Sequence, residues 1–292
     1  MVWAALGPDV PGYIEPFAGS LAVLLSRPSL GHGPETVNDA DGLLSNFWRA
    51  VSADPDGVAE AADWPVNEVD LSARHLRLVA ARATLTERLQ VDADYHDATL
   101  AGWWLWGACA WIGTGWCSGE GPWTTDGERW INRKLPHLGD EGRGAAIRAW
   151  MRALAARLRG VRVACGDWSR VVTYSVQRAG GFPCGILLDP PYPDGEMAYS
   201  AGDDGARLWH EVREWAVANG ANRELRIVLC GYEGAEMPPG WRSVPWVQRK
   251  GYAATAAATA NCARERLWLS PGCLDVAEER GIQAPLFAGG AA

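Results

Sequence analysis

Asp189-Pro190-Pro191-Tyr192 follows directly on the apolar run Ile186-Leu187-Leu188. Two consecutive prolines offer no N–H to a sheet ladder, so a strand built on that run must stop there and present an acid and an aromatic at its carboxyl end. In open α/β sheets ligands bind at that edge. The same residues also suit a Pro-rich turn closed by a buried tyrosine, so the motif draws its meaning from its company. Glu15-Pro16-Phe17-Ala18-Gly19-Ser20 puts small residues after a first strand, where backbone can approach a ligand closely and helix N–H groups face it. About twenty residues on, Asp39 ends a second strand, the place from which an acid in such folds takes ribose hydroxyls. It also suits a helix cap. Gly166-Asp167-Trp168 ends a third strand with another acid, which a turn or cap would explain as well. Four strand ends bearing ligand-type residues point to one site.

The elements that must position these residues follow from hydrophobic period. A strand at Tyr13–Phe17 leads to a helix at Leu21–Leu25, and a second strand ending at Val37 leads to a helix with Leu43, Leu44, Phe47 and Trp48. Ser52–Glu68, rich in Asp, Ala and Pro, reads as a connection. Leu71, Leu78, Leu85 and Leu89 recur with the period of an amphipathic helix, and Thr99–Ile112 is apolar all round, as in a buried helix of a small bundle. Gly113–Gly127 reads as a loop. A third helix, Gly144–Leu158, sets Ile147, Trp150, Met151, Leu154 and Leu158 on one face and Arg148, Arg152 and Arg159 on another. Strand patterns return at Val161–Cys165, Gly185–Leu188 and Leu225–Cys230, with a helix at Ala206–Ala218. Ser243–Gln248 and Arg266–Leu269 have no helix between them and suit an antiparallel pair. The expected architecture is an α/β sheet domain split in sequence, residues 1–56 and 160–292, with a helical insertion at 57–159.

Composition narrows the function. The chain has 292 residues, 48% hydrophobic and 21% charged, the balance of a globular protein. Its longest apolar run, near Trp103–Ile112, is half the roughly 20 residues a membrane span needs, and no basic segment with an apolar core opens the chain. Neither secretion nor membrane insertion is expected. Seven cysteines without a CxxC read as reduced thiols of a cytoplasmic protein, and five scattered histidines give no zinc pattern, so no metal is expected. The net charge of −8 excludes a protein that coats nucleic acid, yet Arg129–Arg162 holds nine basic residues against Asp140 and Glu141. Such a stretch suits either a solvated helix face or phosphate contacts.

Taken together, YIEPFAGSLAVLLSRP, VNDADGLLSNFWR, INRKLPHLG, GDW, LLDPPYP and RERLWLSPGC resemble, in content and order, the D12 class of adenine-specific DNA methyltransferases, the Dam-like and phage-type enzymes. The resemblance implies a Rossmann-like, S-adenosylmethionine-dependent methyltransferase sheet with a helical target-recognition insertion. It implies that Glu15, Phe17, Gly19, Asp39, Asp167 and Asp189 bind S-adenosylmethionine, with Asp39 on its ribose and Asp167 near its adenine. Asp189 and the Pro190 carbonyl would accept the hydrogens of an adenine amine flipped out of the duplex, and Tyr192 would stack on the base. Arg129, Arg133, Lys134, Arg143 and Arg148 would contact double-stranded DNA, with Lys250, Arg264 and Arg266 adding backbone contacts. The enzyme is expected to act as a monomer in a bacterial or phage-infected cytoplasm.

Other outcomes stay open from the residues: methylation of another planar nitrogen (cytosine amine, RNA adenine or protein glutamine), or a DNA-binding remnant without activity. Asp rather than Ser or Asn before the prolines favours adenine. The family's usual loop pattern ends in glycine where this chain has Leu21, a position at which phage-type sequences vary. The chain departs also at Met1-Val2-Trp3, where relatives carry a glycine- and lysine-containing motif that closes over the cofactor. The expectation is a start codon further upstream.

Overall fold

The computed structural model describes residues 1–28, 33–111, 116–117, 143–191, 204–246 and 264–276. The chain opens with α1 (Val2–Leu6), β1 (Gly12–Glu15), α2 (Ala22–Leu25) and β2 (Glu35–Asp39). Helices α3 (Gly42–Ala53), α4 (Pro55–Ala62), α5 (Glu68–Val91), α6 (Ala98–Ala110) and α7 (Arg143–Leu158) follow. After β3 (Val161–Cys165) come α8 (Tyr174–Gln177), β4 (Cys184–Leu188), α9 (Asp204–Asn219), β5 (Leu225–Tyr232), β6 (Arg242–Pro245) and β7 (Glu265–Leu269). The strands form one seven-stranded mixed sheet in the order β3-β2-β1-β4-β5-β7-β6. β2, β1, β4 and β5 run parallel, and β7 is antiparallel to both β5 and β6. The architecture is α/β and compatible with a Rossmann-like fold. Among the described residues no helix is long and apolar enough to cross a membrane.

The chain divides into two compact units, Met1–Val37 with Trp168–Glu196 and Ala201–Ala292, and Asn38–Asp167 with Met197–Ser200. In the first, every residue of β1 and β4 is buried, as expected of central parallel strands covered on both faces. Pro190 and Pro191 end β4 as their missing N–H groups require. α1 buries Val2, Trp3, Ala5 and Leu6, and its Leu6 carbonyl, left over at the helix end, accepts from Arg226 at 2.6 Å. α9 buries Trp209, Val212 and Ala216, one helix face. Gly231 makes room for that face, since a Cβ there would lie 3.2 Å from the Trp209 ring.

The second unit is a helical bundle with β3 and the end of β2. α5 buries Leu71, Leu78, Leu85 and Leu89 at the expected spacing, and Leu43, Leu78, Leu85, Leu89 and Leu100 share one core cluster. α6 is tied down by a reciprocal pair: Asn46 donates to the Asp97 carbonyl at 2.9 Å and accepts from the Asp97 N–H at 2.9 Å. The Asp97 carboxylate then caps α6 through the Leu100 N–H at 2.8 Å.

Two local expectations are corrected. Ser52–Glu68 is not merely a connection: Asp54 accepts from the Gly57 N–H at 2.9 Å and Pro55 opens α4, so its Asp and Pro are a helix start. β2 runs past Val37 and ends at Asp39, so that acid does stand at a strand end, but the cap of α3 is Asp41, which accepts from the Leu43 N–H at 2.9 Å, and not Asp39. The loop expected at Gly113–Gly127 lies almost wholly outside the described residues.

Candidate active site at the strand ends

Parallel β1 and β4 are neighbours, with Tyr13 beside Gly185 and Ile14 beside Ile186. Glu15-Pro16-Phe17 and Asp189-Pro190 therefore leave the same edge of the sheet from adjacent strands. Because β7 runs antiparallel to β5, its first residue Glu265 pairs with Tyr232 at the carboxyl end of β5 and reaches that edge too. Three carboxyl groups thus gather there.

Glu15 is 3% exposed and accepts from the Tyr13 hydroxyl at 2.9 Å. Burial pushes its carboxyl up to about 8; the Tyr13 hydrogen bond opposes the rise and the Asp189 charge adds to it. Glu265, 7% exposed, is pushed up to about 7 by burial and by Asp189, and its Oε2 is enclosed without a hydrogen-bond partner. Asp189 is exposed and Pro190 buried. The edge therefore holds carboxyls whose charged forms disfavour one another, an environment a cation would relieve.

The loop after β1 is shaped for close approach. Phe17 stacks on Trp168 with ring centroids 6.0 Å apart and planes at 28°, and Trp168 meets Trp215 edge-on. Gly19 has a φ of 47°, and a Cβ there would meet nothing within 4 Å, so that side of the loop is open. Leu21 is left-handed, φ 57° and ψ 22°, and fully buried. Glycine would hold this backbone conformation without strain.

In the second unit the ends of β2 and β3 are joined. The Gly166 N–H donates to the Asp39 carbonyl at 3.0 Å and Asn38 donates to the Gly166 carbonyl at 2.9 Å. Asp39 and Asp167 thus leave neighbouring strand ends. Asp39 Oδ1 accepts from the Asp41 N–H at 2.9 Å, a turn contact, and Asp167 is exposed.

The basic helix face is engaged by acids of the same unit. Arg143 lies 3.3 Å from Asp63 and donates to the Trp64 carbonyl at 3.0 Å. Arg152 makes two 2.8 Å bonds to Asp56, which Arg148 approaches at 3.8 Å. The Arg152 hydrogen bond holds the Asp56 carboxyl below its usual range. Such exposed pairs contribute little to stability. Arg266 donates to Glu233 at 2.5 Å, and Arg264 stands over the Tyr232 ring at 5.0 Å. Tyr192, Arg129, Arg133, Lys134 and Lys250 lie outside the described residues.

Sequence reasoning missed Tyr13 and Glu265. The alternation of Glu265, Leu267 and Leu269 on one strand face was the available signal for an inward-facing acid. Burial pushes the Cys117 and Cys184 thiols up to about 12, so neither is a thiolate nucleophile near neutral pH. Among the described residues no three His, Cys, Asp or Glu side chains are grouped to hold a metal ion. No protein-family model matches the chain, and no curated protein matches it either.

Proposed function

We propose that this chain is an S-adenosylmethionine-dependent DNA methyltransferase of the D12 class, acting on the exocyclic amine of adenine. The observation that carries the reading is the adjacency of the Glu15–Gly19 loop and Asp189-Pro190 at the ends of neighbouring parallel strands. The residues present fit the cofactor: the carboxyls at this edge repel one another and favour a cationic ligand, and the open side of Gly19 admits close backbone approach. When bound, S-adenosylmethionine supplies an electrophilic methyl group. Glu15, Phe17 and Gly19 would hold its methionine side, while Asp39 would take its ribose hydroxyls and Asp167 its adenine region.

The adenine amine is a poor nucleophile because its lone pair is delocalised into the ring. Asp189 and the Pro190 carbonyl accept its two hydrogens, which favours a pyramidal nitrogen and frees the lone pair for the methyl. The proton shed after transfer leaves through Asp189. Tyr192 stacks on the extruded base. Catalysis in this scheme is alignment and electrostatics, with no covalent enzyme intermediate. Residues 1–56 and 160–292 carry the chemistry and 57–159 the target recognition, with Arg129, Arg133, Lys134, Arg143 and Arg148 on the phosphates or guanine edges. The protein works as a cytoplasmic monomer on double-stranded DNA.

The test is incubation of the purified chain with methyl-labelled cofactor and unmethylated genomic DNA, followed by nucleoside analysis. Label in N6-methyldeoxyadenosine supports the reading. Label in N4-methyldeoxycytidine, in RNA or in protein would replace the substrate, and cofactor binding without transfer would identify an inactive remnant.

A further inference from the structure

Arg74 of α5 is 8% exposed, and its guanidinium carbon sits 4.3 Å from the Trp106 ring centre, 5.1 Å from Trp64 and 5.2 Å from Trp103. Its Nη1 is enclosed with no hydrogen-bond partner. The neighbouring carboxylate Asp70 is turned elsewhere, accepting from the Trp64 indole at 2.6 Å and from Asn67. An enclosed guanidinium nitrogen without an acceptor is costly, and indole faces offset only part of that cost. Arg74 also lines a cavity of about 800 Å³ within the helical unit, beside Trp64 and Trp103. Trp64, one of the lining residues, is 46% exposed.

The charge of the lining selects the ligand. Asp54, Glu60 and Asp70 stand against Arg74 and Arg77, so the cavity does not favour a bare anion. A guest must be flat, to lie among indoles; it must bring acceptors for the guanidinium, and donors for the carboxylates. Guanine meets all three demands: O6 and N7 are adjacent acceptors that match an arginine fork, and its N1 and N2 hydrogens are donors. Adenine presents a donor where guanine presents O6 and matches the fork poorly.

We propose that the cavity around Arg74 is a binding site for an unstacked guanine base, read by Arg74 and held against Trp64 and Trp103. The site is lined only by residues of the helical unit, so it stands or falls separately from the strand-end chemistry.

Calorimetric titration of the full chain with guanosine, inosine, adenosine and inorganic phosphate tests it. Guanosine and inosine, which share O6 and N7, should bind, with adenosine and phosphate at least about tenfold weaker. Arg74→Lys, which keeps the charge but loses the planar fork, should weaken guanosine by about tenfold while leaving the circular dichroism unchanged. Equal binding of adenosine and guanosine, binding of phosphate alone, no heat with either oxo-purine, or undiminished affinity in Arg74→Lys would each overturn the proposal. Where Arg74→Lys does not fold, the order of nucleosides on the unaltered chain decides alone. Loss of methyl transfer with guanosine binding retained would sink the methyltransferase reading and leave this site intact.

Discussion

Glu15 and Glu265 are acids in surroundings that disfavour their charged forms, and the consequence is measurable. The folded-state value of Glu15, about 8 against an ordinary 4.5, means that the folded chain keeps a proton the unfolded chain has released across that interval. Stability from this group is fully present below the ordinary value and is lost as pH rises through the folded one. Glu265 acts with the same sign up to about 7. Urea unfolding should therefore show the chain less stable at about pH 8.5 than at about pH 5, and Glu15→Gln should flatten that decline. An equally steep decline in Glu15→Gln would remove Glu15 from the account. None of this was legible in the sequence. Glu15 stands out there only as part of a loop motif, whereas its burial beside Tyr13 and its coupling to Asp189 arise from strand pairing. Arg74 was hidden for the same reason, since its three tryptophans come from the link before α5 and from α6.

At the scale of elements, the loop between β1 and α2 carries a testable strain. Leu21 is both left-handed and fully buried, so its side chain is needed where its backbone would suit glycine. Leu21→Ala keeps the strained backbone and loses the packing, at about 2–5 kcal/mol. Leu21→Gly loses one more carbon but relieves the backbone by about 1 kcal/mol, so thermal unfolding should rank it the less destabilised of the two. The reverse order would contradict the left-handed turn. In the helical unit, Asn46→Ala leaves the half-buried Asp97 N–H and carbonyl without their partners and should cost about 1–3 kcal/mol in urea unfolding. The elements themselves were largely legible where period was strong: the four leucines of α5, the buried runs of β4 and β5, and the adjacent strands β6 and β7. α4 was not, because its Asp-Pro start and alanine-rich body look like a linker until Asp54 is seen capping it. The carboxyl-edge placement of Asp189 followed from two prolines directly after an apolar strand run.

For the whole molecule, the proposed function places DNA against the basic segment of an acidic chain, and salt dependence of binding tests that placement. Each phosphate contact contributes about 0.9 to the slope of log affinity against log salt, so Arg133→Ala with Lys134→Ala should lower the slope by about 2. Arg152→Ala, whose partner is Asp56, should change it less. An unchanged slope in the double variant would take the segment out of the interface. The strand-end acid is the claim on which the functional account turns. Asp189→Ala, purified beside the unaltered chain, should retain its fold and lower methyl transfer from S-adenosylmethionine to DNA adenine by at least about a hundredfold. Equal transfer by the two proteins would contradict the account.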